Sequence, residues 1–241
     1  MIRIVTGSIS FPIESLQGLQ KNIYLELEAS HEIFDYVSDL ELLFELRLRE
    51  NIVKSSYALN ESGVTFTSFR YANFNPNYWV KSSSGFLLRP DVLPSDAIRD
   101  IFRNGSMYGF ECSTAIIILF YKAVLDSIRE SAFNYLFNGL LVWNWNADSD
   151  LIIITRRGDR FIIGDVVYFN NPDYRETIWR GENAVVLGNG KYYGHGFGIR
   201  TAQGMIDTLN TLRRPGATRS AYLLKQHSRL NVRHLYRYAR R

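Results

Sequence analysis

The sequence of 241 residues contains one cysteine, Cys112, which is the side chain best suited to nucleophilic chemistry. It stands at the start of an apolar stretch, 112–128, whose aliphatic and aromatic residues would cover every side of a helix. The free N–H groups and positive dipole at a helix N-terminus favour a thiolate, and they can also supply an oxyanion hole. The alternative is an inert buried thiol, which we would expect further inside the apolar run.

A thiol nucleophile needs a proton acceptor within hydrogen-bonding distance. Three candidates are Glu182 in the segment WRGEN, His195 in YGHG, and Glu111 directly before the cysteine. Histidine is the usual base at neutral pH, whereas a glutamate can serve if an apolar setting raises its pKa or if it titrates together with the thiol. Each could also be structural, and the residues alone do not choose among them.

Three tryptophans, Trp143, Trp145 and Trp179, lie close in sequence to the predicted strands. They could line an apolar tunnel to the thiol and hinder water from reaching an acyl-enzyme, or they could be core residues. We expect no metal and no cofactor, because the sequence lacks a phosphate loop in a strand-to-helix context and a cluster with metal-ligand spacing. A single cysteine also excludes an internal disulfide framework.

The composition, with 46% hydrophobic and 14% aromatic residues, fits one folded domain over residues 1–241. No apolar run has the length of a signal peptide or a membrane span. We therefore expect an intracellular, monomeric protein without a membrane partner.

The net charge of +4 is mild and is partly concentrated near residue 241. Such a basic tail could dock on an acidic surface or nucleic acid, but a solvated helix face is the simpler explanation, and we expect no nucleic-acid partner. The residues concerned are Arg229, Arg233, Arg237, Arg240 and Arg241.

A capping box at Ser38-Asp39-Leu40-Glu41, followed by apolar residues at four-residue spacing, predicts a long helix that ends near Gly63. The face predicted to be exposed contains Arg47, Arg49 and Glu50. A shorter helix should begin after an N-cap at Ser95 and end at Asn104-Gly105.

Short β-branched and aromatic runs separated by turn signals follow the buried helix and predict an antiparallel sheet packed against it. The fold class is therefore α+β. The predicted strands are 64–70, 78–80, 140–143, 151–155, 161–169, 184–187 and 192–197. The last predicted helices are 201–212 and 217–224.

Seven segments, in order along most of the chain, resemble the calcium-independent protein-glutamine gamma-glutamyltransferases of spore-forming bacteria. These segments are ELRLRENIV (45–53), SDAIRDI (95–101), FECSTA (110–115), GDVVYF (164–169), WRGEN (179–183), GHGFGI (194–199) and SAYLL (220–224).

The resemblance implies a papain-like or NlpC/P60-like core in which the nucleophile opens a buried central helix. It implies Cys112 as nucleophile, Glu182 as its principal partner and Glu111 as a partly redundant one, with a less certain role for His195. The implied reaction joins glutamine and lysine side chains of spore coat proteins through a Cys thioester, with release of ammonia. The implied location is the mother-cell cytoplasm and then the spore coat.

Two alternatives stay open at this stage. A cysteine amidase or peptidase of NlpC/P60 type would form the same acyl-enzyme but use water as the acceptor. A non-catalytic basic coat scaffold would bind its partners through the arginine-rich tail and would not need Cys112.

Overall fold

A buried helix that begins at Cys112 lies at the centre of the computed structural model, which describes residues 1–5, 7 and 9–240. Apolar residues surround this helix, α4, and nearly all of its side chains are buried. The helices are α1 (Gly18–Ala29), α2 (Asp39–Glu61), α3 (Pro94–Arg103), α4 (Cys112–Ser127), α5 (Glu130–Leu136), α6 (Ala202–Thr211) and α7 (Val232–Tyr236). Among the described residues, none of the helices combines the length and the apolar character needed to cross a membrane.

The strands form one large sheet and three small ones. They are β1 (Ile2–Ile4), β2 (Phe34–Tyr36), β3 (Thr65–Phe66), β4 (Trp79–Ser82), β5 (Gly85–Leu88), β6 (Gly109–Phe110), β7 (Leu141–Val142), β8 (Ile153–Arg157), β9 (Val166–Asn170), β10 (Gly181–Gly188), β11 (Lys191–Gly194), β12 (Gly198–Thr201) and β13 (Tyr222–Leu230). All six strands of the large sheet lie after residue 150, whereas the two longest helices, α2 and α4, precede it, and the α+β prediction is confirmed.

The large sheet has the order β12-β11-β10-β9-β13-β8, with every neighbouring pair antiparallel. Helix α4 packs against β10, and α2 packs along α4. The predicted helix 217–224 is wrong, because residues 222–230 form β13 in the interior of this sheet. Its backbone groups pair with β9 on one side and β8 on the other, which outweighs the local helical preference of this segment.

The predicted strand at 140–143 forms, but it belongs to a separate three-stranded sheet, β4-β5-β7. The sequence did not lead us to predict the following elements: α1, α5, α7, β1, β2, β5, β6 and β12. The prediction of a long strand at 161–169 is wrong in its first half, since β9 begins only at Val166, after a turn at Gly164 with a positive φ of 87°.

Helix α2 confirms the capping box, because the Ser38 hydroxyl accepts a hydrogen bond from the Glu41 N–H. Arg47 is exposed, but the prediction that Arg49 faces outward is wrong. Its guanidinium is buried and forms ion pairs with Glu45 at 2.7 Å and Asp165 at 2.8 Å. The pairs allow a charged side chain to lie at the junction of α2 and the sheet.

Helix α3 begins two residues earlier than predicted, at Pro94, with Leu93 as the N-cap in place of Ser95. Proline suits the first helical position because it has no N–H to satisfy. The Ser95 side chain is therefore not an N-cap, and its hydroxyl instead donates to Glu130.

The basic residues near residue 241 are largely used inside the protein. Arg229 pairs with Asp165 and Glu32, and Arg233 lies 3.4 Å from Glu41. Arg240 donates hydrogen bonds to carbonyl groups at the end of α4, while Arg241 lies outside the described residues. Arg229, Arg233 and Arg240 are thus bonded to other parts of the protein, although Arg233 and Arg240 remain exposed, as does Arg237.

Candidate active site

Cys112 occupies the first position of α4 at the wall of a cavity of about 830 Å³. The residue is 8% exposed, and its sulfur accepts a hydrogen bond from the side-chain amide of Asn183 over 3.4 Å. Asn183 lies on β10, the strand against which α4 packs. Packing of the helix on the sheet therefore fixes the position of the thiol.

Glu182, the residue before Asn183, is completely buried. Its Oε1 accepts a hydrogen bond from the Gly196 N–H at 3.0 Å. Among the described residues Oε2 accepts no regular hydrogen bond, although the Cys112 thiol lies near enough to influence the pKa of this carboxyl. Burial, assisted by repulsion from Glu111, raises the pKa of Glu182 to about 8.

The glycines that flank His195 make room for Glu182. A Cβ atom on Gly194 would lie 2.7 Å from the Glu182 Cγ, and a Cβ atom on Gly196 would lie 3.2 Å from its Oε2. The structure thus explains these two glycines by the Glu182 carboxyl group opposite them.

The surroundings of Cys112 raise the pKa of its thiol well above the ordinary value. Burial is the largest cause, followed by the negative charges of Glu182 and Glu111, whereas hydrogen bonds from Asn183 act in the opposite direction. Burial and the two carboxylates therefore oppose the thiolate that the helix N-terminus was expected to favour. The thiol and the Glu182 carboxyl instead form a coupled pair that holds protons to unusually high pH.

Glu111 is the N-cap of α4, and both of its carboxylate oxygens bond within the first turn of the helix. Oε1 accepts from the Thr114 N–H at 3.0 Å and from its hydroxyl, while Oε2 accepts from the Ser113 N–H at 2.6 Å and from its hydroxyl. This geometry gives Glu111 a capping role next to the thiol.

The His195 ring lies between Phe66 and Phe110. Its Nδ1 is 3.3 Å from the Tyr193 hydroxyl and its Nε2 is 3.4 Å from the Thr65 carbonyl oxygen. Burial lowers the pKa of His195 to about 4, so the imidazole is neutral at pH 7. Within the described residues it makes no hydrogen bond to Cys112.

Two of the three candidate tryptophans, Trp143 and Trp145, line the cavity. Between them Asn144 has a positive φ of 53°. Its N–H donates to the Thr114 hydroxyl at 2.8 Å and its Oδ1 accepts from the Ser113 hydroxyl at 2.9 Å. The turn that carries both tryptophans is thereby fixed to the first turn of α4.

Trp179 lies outside this lining, although we expected it in the wall. Its ring stacks between Phe66, at a centroid distance of 4.8 Å, and Phe197, at 5.5 Å. The adjacent residues Ile178 and Arg180 line the cavity in its place.

Sequence reasoning did not single out Asn183, Asn144 or Tyr168, which also surround the thiol. Asn183 could have been noticed, since it directly follows the candidate Glu182. Asn144 could have been noticed as a turn residue between Trp143 and Trp145, because asparagine adopts the left-handed conformation more readily than most residues. In the described part of the chain no group of three or more His, Cys, Asp or Glu side chains could hold a metal ion.

The chain is similar to known proteins over most of its length. A family model described as protein-glutamine gamma-glutamyltransferase matches residues 1–239. A relative of that name from Halalkalibacterium halodurans is 50% identical over 216 residues, covering 88% of this chain and 76% of the relative. One from Bacillus subtilis is 45% identical over 210 residues, covering 86% and 85%.

A solved structure, a transglutaminase from Geobacillus stearothermophilus without its C-terminal extension, is 49% identical and has a TM-score of 0.81. The match covers 84% of this chain and 99% of that one. The likeness supports the predicted papain-like arrangement, in which a helix carrying the cysteine packs on an antiparallel sheet.

Proposed function

The chain belongs to the protein-glutamine gamma-glutamyltransferase family, and we propose that Cys112 and Glu182 together carry its acyl transfer. The observation that supports this assignment is the pair itself. A buried thiol and a fully buried carboxyl of raised pKa lie side by side at a cavity. Such a pair can exchange one proton without solvent, as both half-reactions require.

The first half-reaction starts from the Cys112 thiol and the ionised Glu182 carboxylate, which together hold one proton. Glu182 takes the thiol proton, and the thiolate attacks the side-chain amide carbon of a protein glutamine. The protonated Glu182 then gives its proton to the leaving nitrogen, so that ammonia departs and a thioester forms on Cys112.

The oxyanion of the tetrahedral intermediate needs hydrogen-bond donors. Glu111 already occupies the N–H groups of Ser113 and Thr114. The backbone N–H of Cys112 and the Asn183 amide, which contacts the sulfur, are the donors that we assign to this role.

In the second half-reaction a lysine amine attacks the thioester, and the Glu182 carboxylate accepts the amine proton. Collapse of the intermediate forms the isopeptide bond and releases the Cys112 thiolate, which restores the starting pair. Lysine has a pKa of about 10.4 in water, so the acceptor must first lose a proton. The tryptophan-lined cavity favours the uncharged amine because it disfavours a desolvated ammonium.

The family favours amine transfer over the amidase and scaffold alternatives. We also propose that the protein substrates belong to the spore coat, that the enzyme moves from the mother-cell cytoplasm to the coat, and that it acts as a monomer without calcium or another cofactor. The Bacillus origin of several relatives is consistent with the coat assignment. Cross-link mapping in spores tests the substrates and their location. Light scattering tests the monomeric state, and activity in excess EDTA tests the independence of calcium.

Ammonia release and incorporation of a labelled primary amine into a glutamine peptide test the reaction. Wild type should give both, and Cys112→Ala should give neither. The ammonia release of Glu111→Gln and His195→Ala, compared with that of wild type, shows how far these two residues contribute beside Glu182. Release of acid without amine incorporation would favour the amidase, and cross-linking by Cys112→Ala would overturn the proposal.

A further inference from the structure

The wall of the cavity at Cys112 contains one cation without an ion-pair partner among the described residues. The cavity lining has two side chains with a formal charge, Glu111 and Arg180, which are opposite in sign. The Glu111 oxygens are occupied by the first turn of α4, whereas Arg180 is exposed and forms no ion pair within the described residues. His227 also lines the cavity, and it is kept neutral at pH 7 because burial lowers its pKa.

Arg180 lies close to the reacting sulfur. It is two residues before Glu182, and Tyr168 on β9 is paired in register with Asn183. The Tyr168 phenol interacts with the Arg180 guanidinium and also lies close to Cys112, since both influence the pKa of this tyrosine. A Cβ atom on Gly181 would lie 2.4 Å from the Tyr168 hydroxyl, so the phenol packs directly on the backbone next to Arg180.

A second unpaired cation lies near the far side of the cavity. Arg157 on β8 is exposed, is in register with Gln226 of the cavity lining, and has no ion pair among the described residues. The nearby acid Asp159 pairs with Lys225 at 3.0 Å. Two exposed arginines, one in the cavity lining and one beside it, thus have no ion-pair partner within the described part of the chain.

We propose that Arg180 selects glutamine donors in which a carboxylate lies within one or two residues of the reactive glutamine. This inference rests on the proposed function and names its substrate class, an acidic glutamine-containing segment. The guanidinium can bind a carboxylate through two parallel hydrogen bonds, which orients the donor as well as attracting it. A donor with lysine or arginine at the same distance is repelled by Arg180 and Arg157.

The same charge is compatible with a lysine acceptor. Arg180 opposes the ammonium form of the amine, which cannot attack the thioester. The exposed face of Trp145 offers an incoming cation a separate attractive surface through cation–π contact.

The test compares three peptides that contain one glutamine flanked by glutamate, alanine or lysine, with a fixed small primary amine as acceptor. Wild type should show kcat/KM values for ammonia release that are roughly threefold to tenfold higher for the acidic peptide than for the basic one. Arg180→Gln should bring this ratio close to one, and Arg180→Lys should retain part of it. Arg47→Gln makes the same change of net charge at an exposed site outside the cavity lining and should leave the ratio unchanged.

Salt provides a measurement that needs no variant. The preference of wild type should shrink when sodium chloride is raised from about 50 mM to about 500 mM, because exposed charges are then screened. An equal preference in wild type and Arg180→Gln, or a preference that salt does not affect, would overturn the assignment of Arg180. Failure of wild type to release ammonia from any of the peptides would instead count against the proposed function.

Discussion

The side-chain amide of Asn183 donates a hydrogen bond to the sulfur of Cys112 over 3.4 Å. A donor at this position favours the thiolate over the thiol, and the Asn183 backbone acts on the thiol pKa in the same direction. Burial and the charges of Glu182 and Glu111 oppose it. Asn183 therefore stabilises the thiolate form of Cys112 against these effects.

Replacing Asn183 by alanine should raise the thiol pKa further. The midpoint of the pH dependence of alkylation by iodoacetamide should move up by roughly half a pH unit to one pH unit, since the lost bond is worth about 1 kcal/mol. Asn170→Ala changes another asparagine of the same cavity that does not contact the sulfur, and it should leave the midpoint in place. An unchanged midpoint in Asn183→Ala would refute this role.

The rate of ammonia release should rise with pH and level off above about pH 8. Burial raises the pKa of Glu182 to about 8, so below that pH the carboxyl is protonated and cannot accept the proton of the Cys112 thiol. Glu182→Gln cannot exchange a proton, so it should lose this rise and fall by about 10²-fold to 10⁴-fold in kcat. The control variant Glu61→Gln, at an exposed position on α2, should keep the wild-type pH profile. A wild-type pH profile for Glu182→Gln would mean that this carboxyl has only a structural role.

The same carboxyl should make stability depend on pH. Its pKa is about 8 in the folded protein against an ordinary value of 4.5, so the folded state binds the proton more tightly. The resulting stabilisation is complete below pH 4.5 and is lost as the pH rises to about 8. In urea unfolding, the free energy of unfolding should fall less between pH 5 and pH 8 for Glu182→Gln than for wild type. If the free energy of unfolding fell equally in the two proteins, Glu182 would have an ordinary pKa in the folded state.

A methyl group on Gly194 should disturb Glu182 without any change in the residues of the pair. The added Cβ would lie 2.7 Å from the Glu182 Cγ, so the carboxyl must move away from its place beside the thiol. Gly194→Ala should lower kcat at least about tenfold and destabilise the fold by about 1–3 kcal/mol. Gly204→Ala on α6, where the nearest atom would be 3.3 Å away, should leave kcat unchanged. Normal turnover by Gly194→Ala would mean that the carboxyl position is not critical.

The sequence was sufficient to predict the elements whose signals are local. The capping box at Ser38 and the apolar run after Cys112 each correspond to an observed helix, because caps and continuous apolar residues act within a few turns. Residues 222–230 could not be assigned correctly, since their pairing partners lie more than 50 residues away. Arg49 was placed on the wrong face because its partner Asp165 lies 116 residues away in the sequence.

At the site, the sequence identified which residue types could react but not their mutual arrangement. Glu182, His195 and Glu111 were equivalent candidates on residue type, and three-dimensional contacts separate them. Glu182 lies beside the thiol, Glu111 caps α4, and His195 is surrounded by Phe66 and Phe110. The raised thiol pKa was also beyond sequence reasoning, because burial and neighbouring carboxylates depend on the whole fold.

The insertion of β13 between β9 and β8 makes the order of synthesis important. While the ribosome is still translating, β8 has no sheet neighbour until residues 222–230 emerge, and the part of the cavity formed by Leu224 and Gln226 does not exist. Arrested nascent chains that end before Tyr222 should therefore react with thiol reagents but release no ammonia. The transferase activity, unlike the reactivity of the thiol, should therefore appear only after residues 222–230 have been synthesised.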